Sequence, residues 1–341
     1  MILLDDISVS LPPNRSDAKN ILEHISLSIG KSQWVALTGP NGSGKSTLLK
    51  TLAGLYPPRE GSIRFGDGAE ADRTQPRMAL LLQEPDNQFV ASSVANELEL
   101  SPPHGAPSAE RAALINEAVE RFDLRGFLER NPHRLSGGEK QRLALATVWL
   151  AAPDVLLLDE PTSYLDADER RRCVEFVRTM NRDGATIVWA TPGGDDLLDA
   201  GRVVCLDRGR VCHDGPAAAI GEWIDESGVD IIPPSTAGAE APPREALPQE
   251  ESKGAAEVLI SFRDVGFLYD EGDVLRGVNA EIRAGEVVGF SGKNGSGKST
   301  LLSLMGGVLE PTRGVFERRF GSPVIRSAAG GSEQAVFYLV Q

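Results

Sequence analysis

Gly39-Pro40-Asn41-Gly42-Ser43-Gly44-Lys45-Ser46-Thr47 is the stretch whose reading decides the fold. It fits G-x-x-x-x-G-K-[ST], the pattern of a phosphate-cradling loop. Glycines at 39, 42 and 44 let the backbone turn sharply and approach an anion that a side chain would keep away. The loop's N–H groups then point inward at phosphate oxygens. Lys45 reaches the β- and γ-phosphates, and the Ser46 hydroxyl ligates Mg2+. The flanks agree. Trp34-Val35-Ala36-Leu37-Thr38 reads as a buried strand. The residues from Ser46 to Gly54 read as a helix with a glycine stop. The phosphate thus sits on a helix N-terminus, where the dipole favours negative charge.

The loop recurs as Gly292-Lys293-Asn294-Gly295-Ser296-Gly297-Lys298-Ser299-Thr300. Lys45 and Lys298 are 253 residues apart, as are Leu22 and Leu275, Ile29 and Ile282, and Gly61 and Gly314. Further upstream, Asp6 to Leu11 parallels Asp264 to Tyr269 at an offset of 258. The first copy is therefore expected to hold five extra residues, in the turn at Pro12 to Asp17. Two homologous domains explain the repeat, and 341 residues is an ordinary length for two.

Composition narrows the class. The net charge of −14 argues against nucleic acid as a main partner. Cys173, Cys205 and Cys212 show no metal spacing and read as reduced thiols. The N-terminal residues lack signal-peptide character. No apolar run approaches the ~20 residues of a membrane helix. A soluble, cytoplasmic chain is expected, reaching a membrane only through a partner.

Beyond the first loop, Met78-Ala79-Leu80-Leu81-Leu82-Gln83 reads as a buried strand ending on a polar residue. Gln83 either caps that strand or contacts the γ-phosphate and Mg2+. Residues 92–134 read as helical, with Ser108 as an N-cap and Leu114, Ala118, Val119 and Phe122 at core spacing. His104 and His133 lie in proline-rich turns without clustered partners. Leu135-Ser136-Gly137-Gly138-Glu139-Lys140-Gln141-Arg142 opens an apolar helix. It is either a second anion site or an ordinary N-cap. Val155-Leu156-Leu157-Leu158-Asp159-Glu160 is an apolar strand ending on two carboxylates. They make sense if one organises Mg2+ and the other polarises an attacking water. Residues 185–191 read as another buried strand, and 203–212 as a closing hairpin. The composition then turns to Pro, Ala, Glu and Ser, as in an extended tether.

Two phosphate loops, a Leu-Ser-Gly-Gly-Glu-Lys-Gln-Arg helix start and a Leu-Leu-Leu-Asp-Glu strand on one chain resemble the ATP-binding cassette (ABC) ATPases. The stretch from Gln83 to Val90 resembles the ATPase subunits of energy-coupling-factor (ECF) vitamin and metal importers. The resemblance implies an α/β P-loop fold with a mixed sheet core, an antiparallel β subdomain and a helical subdomain at about 86–150. It implies a first cassette at 1–224, a linker at 225–256 and the N-terminal part of a second cassette at 257–341. It also implies paired cassettes, from the second repeat or a homodimer, and a transmembrane partner on the inner face of the membrane.

Carried over position by position, Gly39, Asn41, Gly42, Ser43, Gly44, Lys45, Ser46 and Thr47 hold ATP, and Ser46, Gln83 and Asp159 hold Mg2+. Glu160 activates water with Gln83 sensing the γ-phosphate, and Ser163 to Asp166 couples the two sites. Ser136, Gly137 and Gly138 grip the opposing ATP. In the second copy the corresponding residues are Tyr269, Gly292, Asn294, Gly295, Ser296, Gly297, Lys298, Ser299, Thr300 and Gln341, with Ser299 and Gln341 at the metal. There are two departures. The family pattern has a histidine after Thr191, where this chain has Pro192, and Leu11 stands where the second copy has Tyr269. The sequence also stops at Gln341, before a second Ser-Gly-Gly and Asp-Glu, so a fragment or a truncation is expected. The first site is expected to turn over slowly. The rival readings are a non-catalytic ATP-binding regulator and a soluble tandem ABC protein acting on ribosomes or DNA.

Overall fold

The structure is a computed structural model. It describes the chain apart from residues 14–17, 67–75, 103–106, 164, 235–256, 270–271, 291, 293–294 and 320–341. Asn294, Gln341, His104 and Tyr164 therefore lie outside the described residues. The chain divides into two units, Met1–Ala239 and Glu240–Gln341.

The first unit has two sheets. The antiparallel one joins Ile2–Leu11 (β1) to Lys19–Ile29 (β2) and Glu60–Phe65 (β4). The end of β2 alternates as its sequence predicts: Ile25, Leu27 and Ile29 are buried, Ser26 and Ser28 exposed. The larger sheet contains Trp34–Thr38 (β3), Met78–Leu81 (β5), Val155–Asp159 (β6), Thr186–Ala190 (β7), Arg202–Asp207 (β8) and Arg210–Pro216 (β9). Their order is β5-β6-β7-β3-β8-β9. The strands run parallel except the β8–β9 hairpin.

β3, β6 and β7 are buried at every residue, as strands covered on both faces must be. One face, with Val35, Leu37, Leu157, Val188 and Val204, packs with the antiparallel sheet and with Lys45–Leu52 (α1). The other face, with Ala36, Leu156, Leu158, Ile187 and Trp189, packs with the remaining helices. These are Val94–Leu100 (α2), Ser108–Arg121 (α3), Gly137–Leu150 (α4), Ala167–Arg182 (α5), the short Asp196–Asp199 (α6) and Ile220–Ser227 (α7).

Three expectations need correction. The strand before Gln83 is the sheet edge, so only Leu81 of β5 is fully buried. The helical reading of 92–134 resolves into α2, α3 and two short 3-10 turns. Pro107 is the N-cap of α3, and Ser108 is its first helical residue. The linker does not begin at 225: α7 runs to Ser227, Ile231 is buried, and Ile232 bridges to Gly193. The buried Ile231 side chain and the Gly194 N–H donating to Ile232 O at 2.7 Å hold this stretch on the first unit.

The second unit repeats the antiparallel sheet with Val258–Tyr269 (β10), Gly272–Arg283 (β11) and Arg313–Arg318 (β12), and adds Lys298–Met305 (α8). Seven residues separate β1 from β2 and two separate β10 from β11, which accounts for the five extra residues. The loop packing also repeats. A Cβ on Gly44 would lie 2.6 Å from Leu22 Cδ2, and one on Gly297 would lie 2.6 Å from Leu275 Cδ2. The apolar residues before the second loop form no strand among the described residues, and Val287 is 92% exposed.

Candidate functional site

β3 runs directly into the loop at 39–44, which delivers the chain to the N-terminus of α1. Gly39 has φ +140, and a Cβ there would fall 2.0 Å from the Leu206 carbonyl oxygen. Close approach to β8 therefore demands glycine here, in addition to room for an anion. Ser43 Oγ is buried without a hydrogen-bond partner among the described residues. Such an orphaned hydroxyl in the loop suits a ligand rich in acceptors.

Lys45 opens α1 and is buried. Its Nζ donates to the carbonyl oxygens of Gly39 (2.7 Å) and Pro40 (3.2 Å). Burial pushes its pKa down, against the upward pull of Glu160 and Asp159. A desolvated ammonium bonded only to carbonyls is under-compensated, which is the electrostatic condition for attracting a phosphate.

The end of β6 faces it. Ser46 Oγ donates to Asp159 Oδ1 at 2.9 Å. Glu160 leaves the strand at φ +48, a left-handed conformation uncommon for a residue with a side chain. Its N–H donates to Ala190 O (3.0 Å), and its Oε2 accepts from Gln83 Nε2 (3.0 Å) and Ser163 Oγ (2.9 Å). Gln83 is thus brought to Glu160 by the end of the edge strand. A cavity of about 500 Å3 lies between these groups, lined by Ile21, Asn41, Gly42, Gly44, Lys45, Ser46, Thr47, Gln83 and Glu160. It opens at the carboxyl ends of parallel strands, where open α/β sheets bind ligands.

The donors suit a hard divalent cation. Ser46 and Asp159 offer one hydroxyl and one carboxylate, and Mg2+ takes few protein oxygens beside phosphate and water. Burial raises the Asp159 pKa, with Glu160 adding to the rise, while the Ser46 hydrogen bond, Lys50 and Lys45 oppose it. A carboxyl group with a raised native pKa binds its proton more tightly folded than unfolded. It therefore destabilises the fold progressively as pH rises through the two values. Asp159→Asn is accordingly expected to raise the melting temperature of the ligand-free chain at pH 7 by about 2–4 °C. Thermal melts at pH 4 and pH 7 check this, and the gain should shrink at pH 4.

Ser136, Gly137 and Gly138 do not line this cavity. Ser136 caps α4, and its N–H donates to Glu139 Oε2 at 2.7 Å within a capping box. A Cβ on Gly138 would strike the Glu169 carboxylate. Gln141 Nε2 donates to Pro161 O at 2.9 Å, which ties α4 to the turn after Glu160.

In the second unit Lys298 Nζ donates to Gly292 O at 2.8 Å, as Lys45 does to Gly39. Thr300 is buried and Ser299 exposed, and Gly295, Ser296 and Gly297 lead into α8. Tyr269 is exposed and packs edge-on against Phe267 at 4.8 Å. No acidic strand end accompanies this loop among the described residues.

Sequence reading did not anticipate Ser163 as a partner of Glu160, or Ser43 as an orphan. Ser163 follows the strand by three residues, a spacing that could have suggested the turn contact.

The profile of the family described as ABC transporter matches residues 22–163 and 275–336. The energy-coupling factor transporter ATP-binding protein EcfA1 of Enterococcus faecalis is 35% identical over 241 residues, spanning 68% of this chain and 85% of that protein. Its namesake from Geobacillus kaustophilus is 36% identical over 228 residues, spanning 64% and 81%. The solved structure of cbiO1 from Clostridium perfringens, part of the ABC transporter complex cbiONQ, superposes with a TM-score of 0.54. It is 27% identical and covers 67% of this chain and 94% of that one. With its phosphate loop, its Asp159–Glu160 strand end and this likeness over both repeats, the chain belongs to the ABC transporter family.

Proposed function

We propose that the chain is an ATP-binding and ATP-hydrolysing subunit of an energy-coupling-factor importer. The observation that carries this reading is the convergence of Lys45, Ser46, Glu160 and Gln83 on one cavity, with Asp159 hydrogen-bonded to Ser46 behind it. The similarity to EcfA1 proteins gives the type of transporter. Lys45 and the loop hold the phosphates. Ser46 and Asp159 hold Mg2+, with the Gln83 side-chain oxygen adjacent. The ion, when bound, neutralises charge on the transferring phosphoryl group. Glu160 polarises the attacking water, and Gln83 and Ser163 fix its carboxylate.

A second cassette, from the repeat or from another copy of the chain, supplies the opposing Ser-Gly-Gly. Ser136, Gly137 and Gly138 serve that partner's nucleotide in return, and Lys298 and Ser299 belong to the second site. Pro192 in place of a histidine makes the first site slow rather than inert, since Glu160 is retained. No described helix is long and apolar enough to cross a membrane. The similarity to transporter ATP-binding proteins supports a transmembrane subunit as the partner that anchors the chain peripherally at the inner face. The first cassette extends through α7 to about Ile232, and 257–341 is the start of the second.

The test is expression of the tagged chain in its own cells, solubilisation in mild detergent, and identification of what co-purifies. An integral membrane subunit is the expected companion. Ribosomes or DNA instead of it would overturn the importer reading.

A further inference from the structure

We propose that Asp196 is a positioning residue for hydrolysis, which fixes the turn carrying Glu160 from the start of α6. The inference rests on the hydrolytic reading above. Asp196 begins α6, five residues after Thr191, and only 8% of it is exposed. A buried carboxylate requires several donors, and it draws them from three elements. Its Oδ2 accepts from Thr162 Oγ1 at 2.7 Å. Thr191 Oγ1, at the end of β7, lies 3.4 Å from the same oxygen and 3.1 Å from Gly193 O. Its Oδ1 accepts from Arg170 Nε at 2.9 Å and from Arg170 Nη2. Arg170 belongs to the first turn of α5, whose N-cap is Asp166.

Thr162 is two residues from Glu160, in a turn closed by the Ser163 N–H on the Glu160 carbonyl at 3.3 Å. The backbone of Glu160 is bonded to Ala190, beside Thr191. Asp196 therefore closes a second tie between the same two segments, one side chain away from the first. A left-handed Glu160 persists only where its surroundings over-determine it, and this pair of ties does so. Asp196 never touches the cavity, so its effect passes through Thr162 to the aim of the Glu160 carboxylate.

The test compares Thr162→Val, which keeps the shape and removes the hydroxyl, with Thr162→Ser, which keeps the hydroxyl. Single-turnover hydrolysis, ATP affinity and melting temperature are measured on the full chain with Mg2+ and ATP. The expected result is a loss of about tenfold in rate for Thr162→Val at unchanged ATP affinity, with Thr162→Ser near wild type. Asp196→Asn should show the same split. Wild-type turnover in Thr162→Val, equal losses of rate and affinity, or a slow Thr162→Ser would overturn the proposal. Absence of hydrolysis in the wild-type chain would instead sink the hydrolytic reading, and this inference with it.

Discussion

Glu160→Gln is expected to bind ATP as tightly as the wild-type chain and to release phosphate at least about a hundredfold more slowly. The substitution keeps the size of the side chain and one oxygen able to accept from Gln83 and Ser163, which now lie 3.0 and 2.9 Å from the carboxylate. It removes the negative charge that draws a proton from water. The left-handed backbone at 160 is set by neighbouring bonds, the N–H on Ala190 among them. The carboxylate's position should therefore survive while its basicity does not. Stopped-flow phosphate release beside calorimetric ATP titration separates the two effects. Undiminished release would mean that some other group polarises the water.

Lys45→Ala should abolish nucleotide binding at the first cradle, with affinity falling about a hundredfold or more. A hydrogen bond to a charged group contributes about 1.5–3 kcal/mol, and 3 kcal/mol is roughly a hundredfold in affinity. Lys45 stands at the high end because it is buried and bonded only to backbone carbonyls. The ligand-free fold should tolerate the change, since the loss of its attraction to Glu160 and Asp159 is offset by removal of a desolvated cation. Lys298→Ala, whose lysine makes the corresponding bond to Gly292, should leave binding at the first cradle intact. Calorimetry on both variants checks this, and equal losses would mean that the two loops are not independent sites.

The parts of the site legible in the sequence are those whose determinants are local. The loop at 39–47 carries its own glycines, cation and hydroxyl within nine residues. The run from Val155 to Leu158 can only be an interior strand, so Asp159 and Glu160 had to emerge at its end. The repeat offset exposed the hairpin insertion because both copies share one register. What escaped depends on contacts across the fold. Nothing in Met78 to Leu81 marks an edge strand, because that is a property of sheet order. Ile231 and Ile232 read as the start of a tether, yet pack on the first unit through Gly193. Asp196 looks like one of two acids in a surface loop, and its meaning comes from Thr162 and Arg170, 34 and 26 positions away. The helix start at Ser136 remained two-sided for a related reason. A capping box and an anion site need the same residues, and the structure shows the cap.

The most direct measurement is single-turnover phosphate release by the purified chain with Mg2+ and ATP, run beside Lys45→Ala. Slow release by the wild type that vanishes in the variant is the predicted result. Release that persists in Lys45→Ala, or none from either protein, would contradict hydrolysis at this cradle.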